Sequence, residues 1–262
     1  MNDALVDELT NLLGEPAEAE AIAAAARGDR AEAISLAERR LAGAPLALGT
    51  GETSFLGLSL AVEPGVLAPR EETELLAATA VRLGRELGAR NVIDLGCGAG
   101  NLTCAIASAL PETKVYAGDI AEAAVSLTRR NADALGVGDR VHAAAGDLFD
   151  AFDGLGLEGT VDLIVFNPPY ISSGRLEKDR AGLLEHEPRE AFDAGPFGIA
   201  FQQRAIRDAL RFLRPRGVLA LEVGVGQGAQ VEKLFGRAGG YEPVAQETDA
   251  DGEIRVVYAA AS

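Results

Sequence analysis

Tryptophan is absent from this chain, methionine occurs once, and cysteine and histidine occur twice each. Cys97 and Cys104 stand far from His142 and His186, so the ligands of a zinc site cannot be assembled and no metal is expected. Two thiols and no export signal exclude a disulfide framework and point to a reducing compartment. The stretch Met1–Glu20 is acidic and helical in pattern, with neither a basic nor an apolar signal region, so the expected location is cytoplasmic. No apolar run is long enough to span a bilayer, which excludes a membrane role. Cationic side chains are also scarce. Lys and Arg number 24 against 40 Asp and Glu, a formal net charge of −16. That balance argues against a surface that wraps a nucleic acid backbone, and it keeps the chain soluble.

What is present is a globular composition. Of 262 residues, 48% are hydrophobic, enough for one large domain, or one domain with a small appendage. Leu5, Leu9, Leu12 and Leu13 recur at helical spacing, and Pro16–Arg27 and Arg30–Ala42 continue as two further short helices, the last capped by Asp29. Leu56, Leu58, Leu60 and Val62 alternate with small residues. That pattern predicts a strand, a turn at Glu63-Pro64-Gly65 and a partner strand from Val66. Ala68–Glu74, with Arg70 at its hinge, opens a helix running to about Leu87.

From Asn91 onward strands alternate with helices, the pattern of a parallel sheet covered on both faces. Strands are expected at Asn91–Leu95, Lys114–Gly118, Arg140–Ala145, Val161–Phe166 and Val218–Val223, the last after a turn at Pro215-Arg216-Gly217. A closing hairpin joins Glu242–Thr248 to Ile254–Ala259 through Asp249-Ala250-Asp251-Gly252. The expected architecture is α/β: a Rossmann-like sheet of seven strands, mostly parallel with an antiparallel last strand. Its divisions are a helical unit over 1–48, a hairpin linker over 49–74 and a ligand-binding domain over 75–262.

Four sheet-edge stretches carry chemistry. Asp94-Leu95-Gly96-Cys97-Gly98-Ala99-Gly100 ends the first strand and opens a helix, whose free N–H groups suit an anion. The third glycine comes one residue too early for a dinucleotide fingerprint. Asp94 would repel a pyrophosphate but attract an ammonium. A zwitterionic amino acid tail fits both, and S-adenosylmethionine has one. Asp119, with Ile120 beside it, ends the second strand where an acid can accept two ribose hydroxyls. Asp147 and Leu148 follow the third, placed for an adenine NH2 and ring.

The fourth stretch is Asn167-Pro168-Pro169-Tyr170. It follows an apolar strand and stops it, since neither proline can donate to a ladder. The Asn167 carbonyl and the Pro168 carbonyl, the latter followed by a residue without N–H, make two acceptors for one planar NH2. Tyr170 offers a flat face for packing. An amide, an adenine and a cytosine all carry such a group.

These residues resemble the class I S-adenosylmethionine-dependent methyltransferases, and more closely the HemK-type release-factor glutamine N5-methyltransferases, from about Gly51 to the C-terminus. Asp94–Gly100 is similar to that family's cofactor loop, Asn167–Tyr170 to its amide-binding tetrapeptide, and Glu187–Gly195 to the segment downstream. Leu221-Glu222-Val223-Gly224 with Gln227-Gly228 resembles the end of its fifth strand, and Pro64–Glu74 its hairpin and leading helix. Proline would be usual at Glu71, and Pro45–Gly51 lacks the family's aromatic residue. The resemblance implies S-adenosylmethionine as methyl donor, with S-adenosylhomocysteine as product, and a release factor presenting a Gly-Gly-Gln loop as partner. It also implies Asn167 and Pro168 as the acceptors of the glutamine NH2. Arg70, Glu187 and Glu222 are further candidates for the site. A small-molecule N- or O-methyltransferase of the same fold and an adenine N6-methyltransferase remain alternatives.

Overall fold

The computed structural model describes residues 3–170, 188, 192 and 199–262. The Glu187–Gly195 segment therefore lies, apart from Pro188 and Phe192, outside the described residues.

The chain begins with three helices, α1 (Asp3–Leu13), α2 (Pro16–Ala25) and α3 (Arg30–Leu41), and a short α4 (Leu46–Thr50). Leu5, Leu9, Ile22, Leu36 and the small residues Ala19, Ala33 and Ala37 close into a core of their own, separate from that of the sheet. Alanines at the contacts let these helices approach closely. Asp29 caps α3 through Ala31 N–H and Glu32 N–H.

The hairpin that follows pairs β1 (Glu52–Phe55) with β2 (Leu58–Ala61). This corrects the predicted hairpin. The turn is Leu56-Gly57, not Glu63-Pro64-Gly65, and Val66–Leu67 forms no strand. Leu56 and Gly57 both take positive φ, 47° and 77°, the conformation of a two-residue hairpin turn matched to strand twist. Leu56 therefore sits at an exposed tip rather than in a core stripe.

Seven strands build the main sheet: β3 (Asn91–Leu95), β4 (Lys114–Asp119), β5 (Val141–Ala145), β6 (Val161–Phe166), β7 (Leu213–Glu222), β8 (Ala245–Thr248) and β9 (Ile254–Ala260). Their order is β5-β4-β3-β6-β7-β9-β8, parallel except at β9, which runs antiparallel to both its neighbours. β7 is longer than expected. Pro215-Arg216-Gly217 is absorbed as a bulge opposite Val161–Leu163 rather than preceding the strand. Gly217 is needed there, because a Cβ would lie 2.7 Å from the Val161 carbonyl.

Helices α5 (Glu74–Leu87), α6 (Asn101–Ala109) and α7 (Glu122–Ala134) cover one face, where Leu76, Leu83, Leu102 and Ile106 meet Val92, Leu163 and Val165. Helices α8 (Ala200–Phe212) and α9 (Gly228–Ala238) cover the other, where Ile206, Phe212 and Phe235 meet Ile93, Ile164 and Leu219. Alternate residues of each central strand thus enter different cores, and every residue of β6 is buried. Asp162 is the polar exception. It accepts from Arg90 N–H, Asn91 N–H and Arg214 Nε and pins the starts of β3, β6 and β7 together.

Candidate functional site

The strand order brings the expected residues to one edge. β3 pairs with β4 on one side and β6 on the other, with Leu95 level with Gly118 and with Phe166. Gly96, Asp119 and Asn167 therefore leave the carboxyl ends of three adjacent strands. Two strand spacings, about 10 Å, separate Asp119 from Asn167. The β3–β4–β6 edge is where open α/β sheets bind ligands.

The loop after β3 is held from below and open above. Gly96, Gly98 and Gly100 all have positive φ. A Cβ on Gly96 would come within 3.2 Å of the Phe166 ring, and one on Gly100 within 2.9 Å of Thr128 Oγ1, whereas one on Gly98 would meet nothing within 4 Å. Thr128 donates to the Gly98 carbonyl at 3.1 Å, and Cys97 N–H donates to the Gly118 carbonyl. Cys97 is buried, and burial drives its thiol well above the ordinary range, so it packs rather than reacts.

Asp94 is fully buried. One oxygen accepts from the Thr103 hydroxyl at 2.6 Å, and Oδ1 has no partner among the described residues. Burial raises its carboxyl to about 7, against the pull of Thr103, and the nearby Asp119 adds to the rise. Asp119 accepts from Gly98 N–H at 3.0 Å and from Ala121 N–H at 2.9 Å, which fixes its carboxylate beside the glycine loop. Ile120, the next residue, is 68% exposed, an uncovered apolar side chain on that same edge.

Asp147 is engaged by Arg204, at 2.9 Å, a partner on α8 that nothing in the sequence singled out. Leu148 has φ +52°, a costly conformation for a branched side chain. It opens a single 3-10 turn over Leu148–Phe152.

At the end of β6, Pro168 is buried, and Asn167, Pro169 and Tyr170 are half-buried. Asn167 Nδ2 donates to Thr73 Oγ1 at 2.9 Å, and Asn167 Oδ1 takes no hydrogen bond from any described residue. The Tyr170 ring lies against Gly224, where a Cβ would be 3.1 Å from it. Gln227 ties the two loops together, donating to the Tyr170 carbonyl and accepting from Gly224 N–H. Beneath them Glu222 is 1% exposed, with Arg255 Nη2 3.7 Å from its Oε1 and neither oxygen in hydrogen-bond geometry with a described residue. Burial lifts the Glu222 carboxyl to about 7, with Thr73 and Arg255 opposing the rise and Glu72 adding to it. Burial also raises Tyr170 above the ordinary phenol range, helped by Glu222 and Glu72. Arg70 is half-buried at the start of the short turn that carries Thr73.

The family described as "Methyltransferase small domain" matches residues 64–190. The release factor glutamine methyltransferase of Gloeobacter violaceus is 36% identical over 96% of this chain and 85% of its own length. That of Moorella thermoacetica is 37% identical over 85% of this chain and 76% of its own. The chain belongs to the release factor glutamine methyltransferase family. Among solved structures, the ribosomal protein L11 methylase of Lactobacillus delbrueckii subsp. bulgaricus shares the fold. Its TM-score is 0.53 and its identity 18%, over 77% of this chain and 83% of that one.

Within the frame of this family, Thr73, Arg204 and Arg255 are the site residues that sequence reasoning left without a role, and Gln227 was quoted only as part of a resemblance. Thr73 and Asn167 are 94 positions apart, a separation that no periodicity reports. Among the described residues no group of acidic, cysteine and histidine side chains could hold a metal, and no helix is long and apolar enough to cross a membrane.

Proposed function

We propose that this protein transfers a methyl group from S-adenosylmethionine to the side-chain amide nitrogen of a glutamine, presented by a peptide chain release factor in its Gly-Gly-Gln loop. The observation that carries the reading is the Asn167 amide, clamped through its NH2 by Thr73 and left with Oδ1 to accept. The relatives at 36 and 37% identity are named for release factor glutamine methylation, which favours glutamine over a base or a small molecule as the group held there.

The residues present fit the cofactor. An unpartnered buried Asp94 oxygen suits an ammonium group, and the open side of Gly98 admits a ligand against backbone. Asp119, already fixed by two backbone N–H groups, keeps lone pairs for ribose hydroxyls, and exposed Ile120 can cover an adenine face. Asp147 can reach an exocyclic NH2 while Arg204 supports it from behind. When bound, S-adenosylmethionine supplies an electrophilic methyl on a sulfonium.

The chain's own residues then act by position. An amide nitrogen is a poor nucleophile because its lone pair is delocalised into the carbonyl. Asn167 Oδ1 and the Pro168 carbonyl each accept one N–H and hold the nitrogen in a single orientation, converting diffusional encounter into local reaction. Both acceptors place negative dipole ends where positive charge develops on that nitrogen, so they stabilise the transition state more than the ground state. Tyr170 packs on the amide plane or faces the sulfonium.

Asn167→Ala tests the reading. It should lower turnover on a purified release factor at least ~100-fold, about 2.7 kcal/mol of barrier, with the S-adenosylmethionine dissociation constant nearly unchanged. Wild-type turnover in that variant would remove Asn167 from the mechanism.

A further inference from the structure

The glycine loop makes few bonds of its own, and two buried polar side chains on α7 hold it from outside. Thr128 and Asn131 stand three positions apart, on one face of the helix, and are 0% and 2% exposed. Thr128 Oγ1 donates to the Gly98 carbonyl at 3.1 Å, and Asn131 Nδ2 donates to the Ala99 carbonyl at 2.8 Å. In a trans peptide the C=O and the N–H point opposite ways. Holding the Gly98 carbonyl against α7 therefore turns the Ala99 N–H away from the helix, beside the open space at Gly98.

Asn131 does more than Thr128. Its second N–H goes to the Ala61 carbonyl at 3.0 Å, and its Oδ1 accepts from Ala61 N–H at 2.8 Å. Ala61 ends β2, so one carboxamide holds the hairpin and the glycine loop together. The side chain suits the task, because a carboxamide donates twice and accepts at the same time. Phe55 and Leu60 root the hairpin in the sheet core, and Asn131 is the polar link at its exit. Further along the same segment, Val66 is buried in a small apolar cluster with Ala99 of the loop and with Ala124 and Leu127 of α7.

The two attachments depend on each other. If the end of β2 lifts, Asn131 loses both bonds to Ala61, and nothing then prevents its amide from rotating off the Ala99 carbonyl. If a ligand fixes the loop, Asn131 is fixed too, and Ala61 finds its partner in place. A two-stranded hairpin is marginal by itself, so such an anchor matters to it. We propose that Asn131, with Thr128 one turn before it, is a positioning residue for the methyl donor, and that it couples donor binding to docking of the hairpin. This rests on the reading of the glycine loop as the donor site given under Proposed function. The coupling is reciprocal: donor binding steadies the end of β2, and loosening the end of β2 weakens donor binding.

The test is hydrogen exchange at the Ala61 amide, whose acceptor is the Asn131 side chain. It is measured with and without S-adenosylhomocysteine, which carries the donor's amino acid tail and transfers nothing. At about 100 times the dissociation constant, complete coupling would slow exchange about 100-fold, and wild type should show at least about tenfold. Amides of α1, whose core is separate, should not slow. Asn131→Ala should abolish the slowing at Ala61 and weaken the dissociation constant about fivefold to tenfold, the worth of one net hydrogen bond. Thr128→Val should weaken binding by a similar factor, yet leave Ala61 exchange in the unliganded protein at the wild-type rate, since its hydroxyl bonds the loop and not β2. Exchange at Ala61 that ignores the ligand in wild type, or slows no more than in α1, would overturn the inference and leave the donor site standing. An unchanged dissociation constant in Asn131→Ala would overturn it as well. A wild-type chain that binds no S-adenosylhomocysteine would instead overturn the donor reading itself. Should Asn131→Ala not fold, Asn131→Asp makes the same comparison, because it keeps the acceptor for Ala61 N–H and gives up the NH2 that holds Ala99.

Discussion

Asp94 shows how one buried residue can couple ligand binding to pH. Its carboxyl titrates near 7 in the folded chain instead of 3.8, chiefly because burial penalises the charge. The folded state therefore binds a proton that the unfolded state has released. Asp94 thus costs the fold stability progressively as pH rises from 3.8 through about 7, and Asp94→Asn should remove that slope. A cationic ligand reverses the preference, because it takes the ionised carboxylate. S-adenosylmethionine affinity should accordingly weaken on acidification below about 7, by at most about tenfold per pH unit. Calorimetry between about pH 5.5 and about pH 7 checks this, and an affinity flat across that range would separate Asp94 from the ammonium. Asp94, Asp119 and Asn167 were readable in the sequence because each ends an apolar strand, and strand ends define the ligand edge. Thr73, Arg204 and Arg255 were not, because their roles come from partners far away along the chain.

At the scale of elements, the alternation of strands and helices after Asn91 was legible, since apolar runs bounded by glycine and proline announce themselves. The hairpin was not. Its true strands are four residues each, too short for a pattern, and its turn uses Leu56 in a conformation branched residues avoid. Docking of that hairpin was equally invisible. Asn131 on α7, 2% exposed, accepts from Ala61 N–H at 2.8 Å, and donates to the Ala61 carbonyl at 3.0 Å and the Ala99 carbonyl at 2.8 Å. One side chain thus joins β2 to the glycine loop. Asn131→Ala would leave three backbone groups without this partner, each with its own desolvation cost. Denaturant unfolding should show a loss of about 2 kcal/mol or more, and a change below about 0.5 kcal/mol would mean that water replaces the bonds.

On the scale of the whole molecule, the sheet, its two cores and the glycine loop form the part that would hold the donor, and the tetrapeptide at the end of β6 faces the acceptor. The N-terminal helices carry a separate core, and their sequence shows thin apolar stripes without chemistry. The net charge of −16 weighs against nucleic acid as acceptor, and a base would otherwise suit the same pair of acceptors. A gel shift at low salt should therefore show no complex with duplex or single-stranded DNA, and a salt-sensitive complex would revive the adenine reading. The central claim is tested most directly by one measurement. The protein is incubated with isotope-labelled S-adenosylmethionine and a purified release factor, and the product is mapped by mass spectrometry. A single added methyl on the glutamine side chain of the Gly-Gly-Gln loop, lost with Asn167→Ala, is the predicted result; an unmodified glutamine, with label transferred elsewhere or not at all, would contradict it.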